Sequence, residues 1–142
     1  MDKDITILIA EDDKGHFVFA RNYLRMAGID NEIIWFSDGQ QVLDFFHDQN
    51  NHYQRVEGHK YILLLDIQMP KIDGVKLLGK IRQFDNDIKN IPIVVVSSSP
   101  SAQTIGKCKE LGCIAYVIKP FIKDDSFIEA VNNAALAIRC LS

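Results

Sequence analysis

Short apolar runs rich in β-branched residues recur along this chain, each separated from the next by room for a helix. That rhythm constrains the fold more than any other feature. The runs lie at Ile5 to Ala10, Glu32 to Phe36, Tyr61 to Leu65, Pro92 to Val96 and Ile114 to Ile118. Most are apolar nearly throughout rather than alternating, so both faces of each strand need cover. The intervening stretches carry helical spacing: Lys14 to Ala27, Gln40 to Phe46, Val75 to Phe84, Ala102 to Leu111 and Lys123 to Arg139. Gly28 and Gly112 stand where helix C-caps belong. The resulting βαβαβαβαβα order predicts an α/β, (βα)5 doubly wound, five-stranded parallel sheet. His47 to Lys60 is polar and lacks periodicity, which predicts a surface loop or helix extension. A length of 142 residues holds one such domain, so the expectation is a single domain over 1–142 with no attached output domain.

Composition narrows the function classes. Apolar residues make up 47% and charged residues 25%, as in a soluble globular protein. The net charge is -3, with no run of Lys or Arg, which disfavours nucleic-acid binding. Cys108, Cys113 and Cys140 form no disulfide framework and no zinc knuckle, so they read as reduced thiols filling space. The start, MDKDITILIAEDD, has no signal-peptide pattern, and no apolar run reaches membrane-spanning length. The expected location is the cytosol, with no membrane contact.

In a sheet of this kind, ligands gather at the carboxyl ends of the strands. Polar residues stand at four of those ends: Glu11, Asp12 and Asp13 after the first run, Asp66 after the third, Ser97 to Ser99 after the fourth and Lys119 after the fifth. Several carboxylates in one pocket need a cation at neutral pH, and hard oxygen ligands suit Mg²⁺. Asp66 is placed to act as a nucleophile toward a phosphoryl donor, with an ammonium and a hydroxyl nearby to neutralise the transferring oxygens. Taken one by one, such residues are more often turn formers, helix caps or solvent-facing groups. Residue types alone support an acidic cation site and go no further.

Four segments in order, ILIAEDD, LLLDIQMPKIDG, PIVVVSSS and GCIAYVIKPF, resemble the response regulator receiver domains of bacterial two-component signalling. The resemblance covers nearly the whole chain from Ile5 and is closest to single-domain, chemotaxis-regulator-like members. It implies a flavodoxin-like sheet of strand order 2-1-3-4-5 and a phosphorylation-dependent switch with Asp66 as acceptor. It implies that Asp12, Asp66 and the backbone carbonyl of Gln68 hold Mg²⁺, with Glu11 acting through water. The acidic pair is read as Glu11 and Asp12, with Asp12 and Asp13 as the alternative register. By the same resemblance Ser97 engages the phosphoryl group, Lys119 pairs with it, and Tyr116 turns inward on activation, its plainer role being packing. Pro70 and Gly74 shape the loop after Asp66, which Asp73 also serves. Lys119–Pro120 matches a cis peptide, against an ordinary trans turn. Ser97 replaces the more frequent Thr, and the 47–60 segment is longer than in the shortest members, as in regulators paired with bacterial phytochrome kinases.

The resemblance further implies a sensor histidine kinase or histidine phosphotransfer protein as donor, and a downstream protein target. It makes the face of the fourth helix, fifth strand and fifth helix the output surface and a route to a homodimer. A kinase-facing patch would take in Lys14 to Phe17 and Phe121–Ile122, unless Phe17 and Phe121 help fill the core. Self-phosphorylation and autodephosphorylation are the only catalysis implied. Three rivals remain. A binding module with this fold that works without phosphorylation would sooner lack one of Asp12, Asp66, Ser97 or Lys119. A haloacid-dehalogenase-like phosphatase needs an Asp where Gln68 stands. A flavin-binding flavodoxin needs a phosphate cradle where Glu11, Asp12 and Asp13 would repel one.

Overall fold

The structure, a computed structural model, describes residues 1–47, 59–98, 101–120 and 125–141. Its elements run β1 (Ile5–Ala10), α1 (Lys14–Met26), β2 (Ile33–Phe36), α2 (Gly39–His47), β3 (Lys60–Asp66), α3 (Gly74–Arg82), a short 3-10 helix (Asp87–Asn90), β4 (Ile93–Ser97), α4 (Ala102–Glu110), β5 (Ala115–Ile118) and α5 (Ser126–Leu141). All strand pairs are parallel and the order is β2-β1-β3-β4-β5, as expected.

Alternation along the strands divides the core in two, because successive side chains point to opposite faces. Ile5, Ile7 and Ile9 of β1 join Ile62, Leu64, Val94 and Val96 beneath Leu24 of α1 and Phe127, Val131 and Ala134 of α5. Leu8, Ala10, Leu63, Leu65, Ile93 and Val95 face the other way, onto Phe45 of α2, Leu77, Leu78 and Ile81 of α3, and Cys108 of α4. The central strands β1, β3 and β4 therefore read as nearly unbroken apolar runs. Burial pushes the Cys108 thiol up to about 11 and raises that of Cys113; both are free. The side chain of Cys140, expected to be a third reduced thiol, lies outside the described residues.

Local chemistry sets the element ends. The Asp13 carboxylate accepts from the His16 N–H at 3.0 Å and caps α1, and Asp73 does the same for α3 through the Lys76 N–H at 2.9 Å. Gly28 and Gly112 carry the positive φ angles that follow helix C-termini, +83° and +79°. Strands β2 and β5 each begin one residue later than the spacing suggests. Helix α3 stops at Arg82, short of Phe84, and the 3-10 helix at Asp87–Asn90 goes unforeseen although it buries Ile88. The expected start of the last helix at Lys123, and most of the polar 47–60 segment, lie outside the described residues.

The last residue of α3, Arg82, reaches well beyond its own helix. Its Nε donates to the Leu111 carbonyl (2.8 Å), Nη1 to those of Lys89 (2.9 Å) and Ile91 (2.8 Å), and Nη2 to that of Gly112 (2.9 Å). One guanidinium thus ties the end of α3 to the entry of β4 and the exit of α4. Arg82→Met is expected to cost about 2–3 kcal/mol by stripping partners from these carbonyls, less whatever water regains. Arg82→Lys should restore little, because an ammonium lacks the planar fork. Urea unfolding of the two variants checks this, and a lysine variant as stable as the parent would refute the geometric argument.

Candidate functional site

Strand register carries four distant sequence positions to one end of the sheet. Ala10 stands opposite Leu65, Asp66 opposite Val96, and Ser97 opposite Ile118. Glu11, Asp66, Ser97 and Lys119 therefore meet at the carboxyl ends of β1, β3, β4 and β5. Oxygens of Glu11, Asp12 and Asp66 lie within 4.8 Å of one another. Asp12 is exposed, whereas Glu11 and Asp66 are buried. Asp13 turns away to cap α1, so the acidic pair that joins Asp66 is Glu11 and Asp12 rather than the alternative register.

Lys119 holds this charge together. Its Nζ lies 2.5 Å from Glu11 Oε1 and 3.5 Å from Asp66 Oδ2, with the lysine side chain only 15% exposed. Its backbone N–H donates to the Ser97 carbonyl at 2.9 Å, which fixes the lysine beside the end of β4. The Lys119–Pro120 peptide is cis, as the resemblance implies. Burial pushes the Glu11 carboxyl up to about 7; its hydrogen bond with the Asp66 carboxylate adds to the rise and the Lys119 ammonium opposes it. Three carboxylates against one ammonium leave a net negative pocket, the kind of donor set that takes a hard divalent cation.

The surrounding loops are anchored by backbone bonds. The Gln68 N–H donates to Asp66 Oδ1 at 3.0 Å, which holds one carboxylate oxygen in place, and the Ser98 hydroxyl donates to Gln68 Oε1 at 3.4 Å. The loop then turns back on itself. The Ile72 N–H reaches the Pro70 carbonyl at 2.8 Å, Lys71 adopts φ +68°, and the Gly74 N–H closes onto the Ile67 carbonyl at 2.8 Å. A Cβ on Gly74 would lie 2.5 Å from Ile67 Cα and 2.7 Å from the Asp66 carbonyl oxygen, so only glycine fits here.

Ser97 is fully buried at the end of β4, and Ser99 lies outside the described residues. Tyr116 is half-buried on β5 opposite Val95 and packs against the α2–α3–α4 side of the core, away from the carboxylates. Phe17 is core rather than docking surface: it is 9% exposed and its ring stacks on Trp35 at 4.7 Å. Phe121 and Ile122 lie outside the described residues.

Two further pocket residues carry no motif; sequence reading passes over Trp35 in this role and places His16 only within the Lys14 to Phe17 patch. The Trp35 indole Nε1 donates to the Glu11 carbonyl at 2.6 Å, bracing the acidic turn from the edge strand. His16 Nδ1 lies 3.1 Å from Lys119 Nζ and 3.7 Å from Glu11 Oε1. The one available hint was that a residue three past a helix-capping Asp is turned back toward the acidic loop.

A family model described as the response regulator receiver domain matches residues 7–132. The chain is a response regulator receiver domain. Response regulator Rcp1 of Synechocystis sp. is 31% identical over 113 residues, covering 80% of this chain and 75% of that protein. The structure of Rcp1 in its Mn²⁺-bound form superposes with a TM-score of 0.73 at 29% identity, covering 93% of each chain. The bacteriophytochrome response regulator RtBRR gives a TM-score of 0.78 at 32% identity, covering 91% of this chain and 76% of that one. A histidine kinase, mak1 of Schizosaccharomyces pombe, is 29% identical over 118 residues, 81% of this chain but 7% of that protein.

Receiver domains are phosphorylation-dependent signalling switches, and the Glu11, Asp12 and Asp66 cluster is consistent with a receiver phosphorylation site. The receiver's fold and acidic pocket are likewise consistent with the self-phosphorylation and autodephosphorylation typical of the family, and with use of a divalent cation. Among the described residues no helix is long and apolar enough to cross a membrane.

Proposed function

We propose that Asp66 accepts a phosphoryl group from a phosphohistidine of a sensor kinase or phosphotransfer protein, and that this receiver then signals by protein–protein contact. The observation that carries the reading is the convergence of buried Asp66 with Glu11, Asp12 and Lys119 at one end of the sheet. The Asp66 carboxylate attacks phosphorus, the bond from phosphorus to the donor imidazole nitrogen breaks, and an acyl phosphate forms on Asp66. Mg²⁺, held by Asp12, Asp66 and the Gln68 carbonyl with Glu11 acting through water, would supply charge neutralisation for the phosphoryl oxygens. The Mn²⁺-bound relative supports a divalent cation in that role.

Lys119 then exchanges a carboxylate for a phosphoryl oxygen, and the Ser97 hydroxyl donates to another. That small movement biases a two-state equilibrium, with Tyr116 turning further into the core and the outer face of α4, β5 and α5 changing shape. Ile118 at the end of β5 and Leu136 on α5 are exposed apolar side chains, 41% and 53% exposed, available for docking of a target or a second copy. Water later cleaves the acyl phosphate and resets the switch.

Incubation with Mg²⁺ and acetyl phosphate, followed by intact mass, tests the assignment. The parent is expected to gain one phosphoryl group only when Mg²⁺ is present, and Asp66→Asn none. A folded, Mg²⁺-binding parent that gains nothing from a small donor and nothing from phosphohistidine proteins would overturn the reading in favour of a binding module that works without phosphorylation.

A further inference from the structure

We infer that His16 is a positioning residue that orients the Lys119 ammonium for the incoming phosphoryl group. The inference rests on the phosphoacceptor reading of Asp66 and adds a residue to that site. Lys119 carries three N–H donors and no acceptor. Its described neighbours supply one acceptor for each: Glu11 Oε1 at 2.5 Å, His16 Nδ1 at 3.1 Å and Asp66 Oδ2 at 3.5 Å. Because the lysine can only donate, Nδ1 must be the acceptor, which places the imidazole proton on Nε2.

The difference between these acceptors matters. When Asp66 becomes an acyl phosphate, the lysine must give its Asp66 bond to a phosphoryl oxygen. Glu11 alone would leave the ammonium free to swing about one contact on a flexible four-carbon stem. His16 supplies a second anchor, and a neutral one, so the direction of the third N–H is held without adding negative charge to a pocket that must admit an anionic phosphoryl group. Two local features hold His16 in turn. Its backbone N–H is bound to the Asp13 carboxylate at 3.0 Å, and Gly15 brings the first turn of α1 close to that carboxylate. Outside the anchor, His16 and Lys119 share a cleft of about 390 Å³ with Gly15, Phe19, Ser98 and Pro120, open to an arriving donor.

The test separates the contact from its role. Imidazole ¹⁵N spectra of the whole chain should show His16 as the Nε2–H tautomer, with the Nδ1 signal moving in Lys119→Met. Trp35 is the single tryptophan, and its indole is bonded to the Glu11 carbonyl, so its fluorescence is expected to respond to both Mg²⁺ binding and phosphorylation. His16→Ala is expected to slow phosphorylation by phosphoramidate on the order of fivefold, with Mg²⁺ affinity changed by less than about twofold. His16→Asn, whose amide oxygen stands where Nδ1 stood, should restore most of the rate. An Nδ1–H tautomer, an alanine variant as fast as the parent, or an asparagine variant as slow as alanine would each overturn the inference. A parent that takes no phosphoryl group overturns the Asp66 reading and this role with it, while the tautomer still reports whether the contact exists.

Discussion

Among the described glycines, Gly74→Ala is expected to be the most damaging substitution, lowering stability by about 3 kcal/mol. The added carbon would lie 2.5 Å from Ile67 Cα, 2.7 Å from the Asp66 carbonyl oxygen and 2.9 Å from Ile67 Cδ1. Two of those atoms are backbone at the end of β3, so no side-chain rotation relieves the clash. Helix α3 must back away, which breaks the 2.8 Å bond from the Gly74 N–H to the Ile67 carbonyl and lifts Leu77 and Leu78 out of a fully buried site. For a chain of 142 residues, that cost lowers Tm by roughly 10 °C. Because the clash falls on the strand end that presents Asp66, phosphorylation should fall further than stability does. Thermal unfolding followed by circular dichroism, beside the intact-mass assay, reads both effects. A variant within about 2 °C of the parent would mean that the loop accommodates a Cβ and that the close approach is not a constraint.

Lys119→Ala is expected to move metal binding and phosphoryl transfer in opposite directions. The ammonium sits among the carboxylates, 2.5 Å from Glu11 and 3.5 Å from Asp66, and so competes with a divalent cation for the same field. At an effective dielectric of about 20, a unit charge at 4 Å is worth about 4 kcal/mol. That is an upper bound here, because the site reaches solvent at exposed Asp12, where water and salt screen the charges. Mg²⁺ affinity should therefore rise on the order of tenfold. The rate from phosphoramidate should fall about 10²- to 10³-fold, the usual consequence of removing one preorganised donor to a charged transition state. Trp35 fluorescence reports the first quantity and mass spectrometry the second. Weaker Mg²⁺ binding in the alanine variant would show that Lys119 braces the carboxylates rather than competing for them.

Strand and helix order were legible in the chain because they rest on local rules. β1 spans Ile5–Ala10 as the apolar run predicts, and the order β2-β1-β3-β4-β5 follows the resemblance carried by four motifs. Long-range side-chain partners were less legible. Helix α3 ends at Arg82, whose guanidinium binds carbonyls up to 30 residues away, and nothing local to Arg82 announces them. Phe17 illustrates the same limit on a side chain. Its position after the acidic turn suited either a docking patch or the core, and the choice was made by Trp35, which stacks on it from another strand.

By itself, then, the sequence determined which residue types stand at the strand ends, since apolar runs must stop where the chain leaves the sheet: Glu11, Asp12, Asp66, Ser97 and Lys119. Tertiary structure alone decided how those residues share one charge. Parallel register brings together strand ends that are more than 100 residues apart, as with Lys119 and Glu11. It also assigns Asp13 to a helix cap while Asp12 stays in the pocket, and it sets His16 against Lys119, 103 positions away. The reason is physical: periodicity records which way a side chain points within its own element, whereas electrostatic partnership depends on distance in space, which only the packed sheet defines.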